Sequence, residues 1–310
     1  MNDAYNSSMD SLNTIMRSSA GYIILMISSY GLLVNAYVFK CFISSSRFRT
    51  DFYVFCASRT ISNFIACFVF FFWPGMCTLF GNVYLPSFFN RMFGQLLLLT
   101  YVSGLLIQYV ISINRFFVSY WPMSGGRFKE KYGLYIGFVF VWSLTIIYTI
   151  AGLPKGCGLI FDVSLITWMP ETKPCAYFLS DLLLYVVLFI SASSNIFNIF
   201  TFGKLLYNTR KTSTLSNEQS AARQRKSVKM FAQSFAQDLL YVIDMTNAYF
   251  IAPMNGDLWF SFLTLCISFT SLNVLDGTVM MAFNKELHPR FCKSKSTNQT
   301  SMFFTTRVRN

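Results

Sequence analysis

The chain has 310 residues, of which 54% are hydrophobic and only 12% charged, with 35 Phe, 17 Tyr and a net charge of +12. A soluble chain carries about 25% charged residues, so composition excludes an ordinary soluble enzyme and a disordered segment alike. The basic excess would suit a nucleic-acid partner, but its distribution along the chain speaks for topology instead.

A hydrocarbon core of about 30 Å needs about 20 apolar residues of helix. Seven stretches meet that need: Ala20–Phe42, Phe52–Trp73, Phe88–Ile113, Tyr132–Leu153, Ala176–Phe202, Met230–Ala252 and Leu258–Phe283. The residues before Ala20 are polar and show no cleavable leader, so the first span is expected to serve as its own insertion signal. Within them, Asn6-Ser7-Ser8 is a glycosylation acceptor. The link after the first span holds Lys40, Arg47 and Arg49, and the link after the third holds Arg115, Arg127, Lys129 and Lys131. The link after the fifth holds Lys204, Arg210, Lys211, Arg223, Arg225, Lys226 and Lys229. The tail adds Lys285, Arg290, Lys293, Lys295, Arg307 and Arg309, so 20 of the 25 basic residues fall on one face. Positive loops stay in the cytoplasm, which places the amino terminus outside. The same bases would attract anionic lipid head groups, and no nucleic-acid partner is expected.

The expected fold is all-α, a seven-transmembrane helix bundle. Residues 1–19 are expected to form an extracellular amino terminus, 20–283 the seven-helix membrane domain and 284–310 a cytoplasmic tail. No cofactor, metal site or catalytic constellation is visible, so an enzyme is not expected.

Cysteines divide by depth. Cys41, Cys56, Cys67, Cys266 and Cys292 lie within spans or toward the cytosol, where thiols stay reduced; Cys292, beyond the last span, is a candidate palmitoylation position. Cys77, Cys157 and Cys175 lie outside. Cys157 and Cys175 flank the longest outer loop, Pro154–Pro174, and their pairing is preferred over a bond from either to Cys77. Asn298-Gln299-Thr300 also fits the glycosylation pattern, but on the cytosolic side, where it should stay bare.

The last span holds no lysine, which argues against a covalent retinal pump. Paired halves and broken helices, the marks of transporters, do not show in the sequence. A transporter or ligand-gated channel is therefore the weaker alternative to a receptor that changes shape.

The span ends carry a sharper signal. The third ends in Asn114-Arg115-Phe116, followed by Trp121-Pro122, and the sixth is opened by the run from Arg223 to Gln237. Asp276-Gly277 and Phe283-Asn284 mark the inner end of the seventh, and Gly31 and Asn35 lie in the first. In this order the motifs resemble the Srx class of nematode serpentine chemoreceptors, within the rhodopsin-like receptor superfamily, over essentially the whole chain. Two departures stand out. The outer end of the third span, Phe88–Gln95, has no cysteine, so the disulfide common to rhodopsin-like receptors cannot form there. The last span also lacks Asn-Pro-x-x-Tyr.

The resemblance implies a chemosensory receptor that binds an external small-molecule or peptide ligand and activates a heterotrimeric G protein. It implies the plasma membrane, in the sensory cilia of neurons; a peptide-hormone receptor of the same fold is the alternative within that class. Asn114, Arg115 and Phe116, with Arg223, Arg225, Lys226 and Lys229, are then candidates for G-protein coupling. Asp244 lies roughly 21 Å above Met230 at 1.5 Å per residue, in the half where ligands enter such receptors. Asn247 is a turn further out, and Tyr101 shares the inward face with Arg115, so these three are the ligand-binding candidates. Charges within spans are costly and face the bundle interior. Arg59 and Asp276 lie at matching depths of roughly 12 and 10 Å in helices that the resemblance makes neighbours, and are expected to form an ion pair. Asp238 is the rival partner.

Overall fold

The computed structural model describes residues 2–44, 51–80, 87–120, 126–212, 218–284 and 287. They form seven helices in a bundle. Helix α1 is Asn2–Ser44. Helix α2 is Asp51–Phe70, continued by a π-helical turn at Phe71–Gly75 and by Met76–Phe80. Helix α3 is Ser87–Tyr120 and α4 is Gly126–Ala151. A hairpin follows, β1 (Leu159–Asp162) against β2 (Thr167–Pro170), and then α5, Pro174–Thr212. Helix α6 is Glu218–Thr246, extended by a π-helical turn at Asn247–Ile251 and a 3-10 turn at Ala252–Met254. Helix α7 is Leu258–Ser261, a π-helical turn at Phe262–Ile267, and Ser268–Phe283. Cys292, Asn298 and the basic residues from Arg290 onward lie outside the described residues.

Helix α3 is the hub and packs against α2, α4, α5 and α6, while α1 and α7 close the ring beside α2. Leu33, Ile147, Phe189 and Ile199 are exposed on the outside of this ring. A broad exposed apolar surface of this kind is what a lipid-facing bundle presents. Five helices are long and apolar enough to cross a membrane; the apolar part of α4 is shorter, Tyr135–Ala151. Helix α6 misses that standard because its inward face is polar. Gln233, Ser234, Gln237, Asp238, Tyr241 and Asp244 are all buried on it. Their spacing of three and four residues lines them up along one stripe, so the hydrocarbon still meets Phe235, Leu239 and Ile243.

Three local features differ from the sequence expectation. Helix α1 runs unbroken through the polar residues before Ala20, since Asn2–Ser19 contains neither Pro nor Gly to stop it. The outer ends of α2, α6 and α7 are not regular: Pro74 lies within the first π turn and Pro253 just beyond the second. Proline removes an N–H donor and clashes with the preceding turn, and a wider turn accommodates both effects. Third, the outer loop Pro154–Pro174 of an expected all-α fold holds a hairpin, pairing Ile160 with Met169 and Phe161 with Trp168.

Candidate functional site

The hairpin lies across the outer mouth of the bundle and is fixed there without a covalent bond to α3. Asn90 on α3 grips its backbone from both sides: Nδ2 donates to Phe161 O (2.9 Å) and Oδ1 accepts from Phe161 N (2.8 Å). The same Oδ1 accepts from Trp73 Nε1 (2.9 Å), tying α2 into the joint. One turn on, Gly94 meets the hairpin so closely that a Cβ there would collide with the Leu159 carbonyl. Arg91 donates to the carbonyls of Leu153 and Pro154 (2.9 and 2.7 Å) and pairs with Glu171 (3.1 Å). Glu171 Oε2 in turn accepts from the backbone N–H of Gly156 and Gly158 (3.0 and 2.9 Å).

Cys157 and Cys175 are joined as a disulfide, with Cα atoms 5.1 Å apart, and Cys77 is a buried free thiol. The bond closes the loop on itself. Where α3 lacks a cysteine, Asn90, Arg91 and Gly94 provide the attachment. Sequence reading passed over these three; the polar pair Asn90-Arg91 at the mouth of an apolar span was the available signal. The hairpin turn places Ile166 at φ 52°, in the left-handed region that a β-branched residue rarely adopts. Its side chain is fully buried, and Asp162 Oδ1 caps the turn by accepting from Ser164 N (2.8 Å).

Beneath the hairpin lies a cavity of about 480 Å³, enclosed by α3 to α7. Tyr101 and Asp244 both line it, and both are buried. Asp244 Oδ1 accepts from Ser268 Oγ (2.9 Å), and the Tyr101 hydroxyl lies beside the same carboxylate. Asn247 does not line the cavity. It stands behind the wall, donating to Ser268 Oγ (3.0 Å).

A continuous set of contacts descends from the cavity floor. Tyr101 packs edge-on against Tyr241 and Phe269, with ring centroids 5.2 and 5.4 Å apart. Gly104 makes room for the Tyr241 hydroxyl, and the Arg59 guanidinium lies 5.7 Å from the Tyr241 ring. Arg59 and Asp276 are brought together as a two-point pair, Nε to Oδ2 at 2.8 Å and Nη2 to Oδ1 at 2.6 Å. Paired N–H···O bonds of this kind fix geometry as well as charge. Asn63 Nδ2 donates to Asp276 Oδ2 (2.5 Å), and Arg59 Nη1 donates to Gln108 Oε1. Gln108 Nε2 then donates to the carbonyl of Ser234 on α6 (3.1 Å), and the Ser234 hydroxyl accepts from Arg115 Nη1. Asp238, the rival for Arg59, instead accepts from Ser194 (2.8 Å) and Asn198 (3.2 Å) on α5.

The motif residues diverge at the cytoplasmic end of α3. Arg115 turns toward α6, while Phe116 packs against Phe197 of α5, 5.2 Å between rings, and Asn114 is half-buried. Lys229 is exposed, and Arg223, Arg225 and Lys226 lie on α6 below it, their side chains outside the described residues, as is that of Asn6 on α1. Gln108 and Ser234 escaped sequence reading. An uncharged residue in a span carries no marker that separates a network member from a helix-surface hydroxyl or amide.

Comparison with known proteins adds the family. The fold is similar to that of squid rhodopsin in its crystal structure, with a TM-score of 0.67 at 12% identity over 90% of this chain and 83% of that one. In sequence the chain is 26% identical over 256 residues to serpentine receptor class X 45 of Caenorhabditis elegans, covering 69% of this chain and 67% of that protein. The family model described as serpentine type 7TM GPCR chemoreceptor Srx matches residues 25–284. A multi-pass membrane protein of seven helices, the chain belongs to the Srx family of serpentine seven-transmembrane receptors.

Proposed function

We propose that this protein is a chemosensory receptor of the plasma membrane that binds an external ligand in the hairpin-roofed cavity and activates a heterotrimeric G protein. The observation that carries this reading is the unbroken run of contacts from Tyr101, through Tyr241, Arg59–Asp276 and Gln108, to Ser234 and Arg115. Tyr101 and Arg115 are 14 residues apart on α3, roughly 21 Å, so the run spans most of a bilayer. Ser234 is its switch point. One residue of α6 accepts from Gln108 through its carbonyl and from Arg115 through its hydroxyl, so outward movement of α6 breaks both together. A ligand can favour that movement only by the difference in its affinity for the two packings. Once released, Arg115 and the basic turns of α6 face the cytosol, where the G protein docks. Ciliated sensory neurons are the expected site of expression.

The test is guanine-nucleotide exchange on a G protein co-reconstituted with the receptor and challenged with a panel of odorants and water-soluble metabolites. At least one compound should stimulate exchange, and Arg115→Ala should abolish that response while surface expression stays near native. Equal loss of expression and signalling would make Arg115 a purely structural residue. Solute uptake or ionic current with no nucleotide dependence would replace the receptor with a transporter or channel.

A further inference from the structure

The cavity has a chemical bias. Among the described residues lining it, the only charged side chains are carboxylates, Asp244 at the floor and Asp181 toward the rim, with no Lys, Arg or His. The remaining wall is mostly apolar and aromatic, with rings from Tyr101, Tyr148, Tyr249 and Phe269 and hydroxyls at Thr167, Ser180 and Ser261. An anionic ligand would be desolvated here against two carboxylates with no compensating cation, a cost of several kcal/mol at the least. A cation meets the opposite situation, since a carboxylate pairs with it and ring faces attract it.

Hydrogen-bond satisfaction points the same way. Asp244 accepts from Ser268, whose oxygen is itself held by Asn247. A carboxylate has capacity for about four, so the floor can take further donors. Tyr101, 3% exposed, sets its hydroxyl beside that carboxylate. In the roof, Trp168, 7% exposed, keeps its indole N–H unpaired. Buried polar groups without partners are rare and call for an explanation. Trp168 lines the same cavity as Tyr101 and Asp244, and an indole N–H can only donate.

We propose that the cavity binds a small organic amine: a protonated nitrogen on Asp244 and Tyr101, an apolar or aromatic body between the rings, and a hydrogen-bond acceptor under Trp168. The volume of about 480 Å³ falls within the ~300–1,000 Å³ usual for small-molecule sites. The proposal rests on the receptor reading only in taking this cavity as the ligand's site.

The experiment uses the full-length receptor in lipid nanodiscs, with binding read by thermal shift and by competition. Three isosteric probes separate the charges: 2-phenylethylamine, 2-phenylethanol and phenylacetate. A fourth, 4-methoxyphenethylamine, adds an acceptor at the far end. The amine should bind at least tenfold more tightly than the alcohol and the acid. The methoxy group should tighten binding further, and Trp168→Phe should remove that gain alone. Asp244→Asn should abolish the preference for amine over alcohol. The probe series on the native protein needs no variant, so it decides the matter even if a variant fails to fold. Acid or alcohol binding as tightly as amine, no amine binding at all, or amine affinity unchanged in Asp244→Asn would overturn the proposal. Nucleotide exchange, measured in the same nanodiscs with G protein, keeps the two readings apart. Exchange stimulated by the acid alone would sink the amine and leave the receptor; amine binding with no exchange would support the amine and count against the receptor.

Discussion

Toward the outer end of the bundle the backbone is irregular, and a loop hairpin is attached to the end of α3. Three helices carry π turns, a two-stranded hairpin covers the mouth, and its anchors are Asn90, Arg91, Gly94 and the Cys157–Cys175 bond. Below Tyr101 the helices run regular, and cross-links pass between buried side chains: Arg59 with Asp276, Gln108 with Ser234, Asp238 with Ser194 and Asn198. The outer half thus fixes a cavity by holding a lid in place, whereas the inner half holds helices in register through polar groups that have no water to fall back on. A lid can be altered without unfolding the bundle. The inner network cannot lose a member so cheaply, because the partner left behind stays buried.

The largest effect is expected from that asymmetry. Asp276→Asn and Arg59→Gln should each cost about 3–5 kcal/mol, the usual result of leaving one member of a buried pair alone. The double variant should recover part of the loss, as read by thermal unfolding in detergent. Additive losses would show that the two side chains do not act as a pair. In the outer half, replacing Cys157 and Cys175 by Ser together should cost about 3 kcal/mol, the entropy of closing a loop of this size. The loss should appear as faster amide exchange over Leu159–Pro170, with exchange in α3 little changed. Non-reducing peptide mapping of the native protein should find these two joined and Cys77 free.

Smaller again is Asn90→Ala, at about 1–3 kcal/mol for the hairpin amide and carbonyl left unpaired. It should loosen the hairpin and leave the Arg59–Asp276 region unaltered; equal loosening of both would erase the distinction between the halves. The smallest change in stability should come from Ser234→Ala, which removes the hydroxyl that holds Arg115 and spares the carbonyl that holds Gln108. A net hydrogen bond of about 0.5–1.5 kcal/mol corresponds to a rise in basal nucleotide exchange of up to about tenfold. Unchanged basal exchange would remove Ser234 from the switch.

What the sequence made legible follows the same division. Helices announce themselves as long apolar runs, and charges inside such runs stand out at once, which is why Arg59, Asp276, Asp238 and Asp244 could be singled out and compared by depth. The hairpin could not be read. Its strands are four residues each, and its turn depends on Ile166, a residue type with no turn preference, held by burial and not by propensity. Asn247 was singled out by counting one turn on from Asp244, and counting cannot show that its amide is taken up by Ser268 Oγ. Gln108 and Ser234 are uncharged, and only the packed neighbours reveal what they join.

Those π turns have a further consequence. Each adds about one residue to a turn of helix, and one residue is about 100° of rotation. The outer ends of α2, α6 and α7 are therefore out of phase with their own lower halves. On α6 and α7, residues at and above the turn can be read by the cavity while the pattern below answers to the polar network. The same helix thereby presents two independently adjustable faces, so the chemistry sampled outside can drift while the register that Arg59, Asp276 and Ser234 require stays where it is.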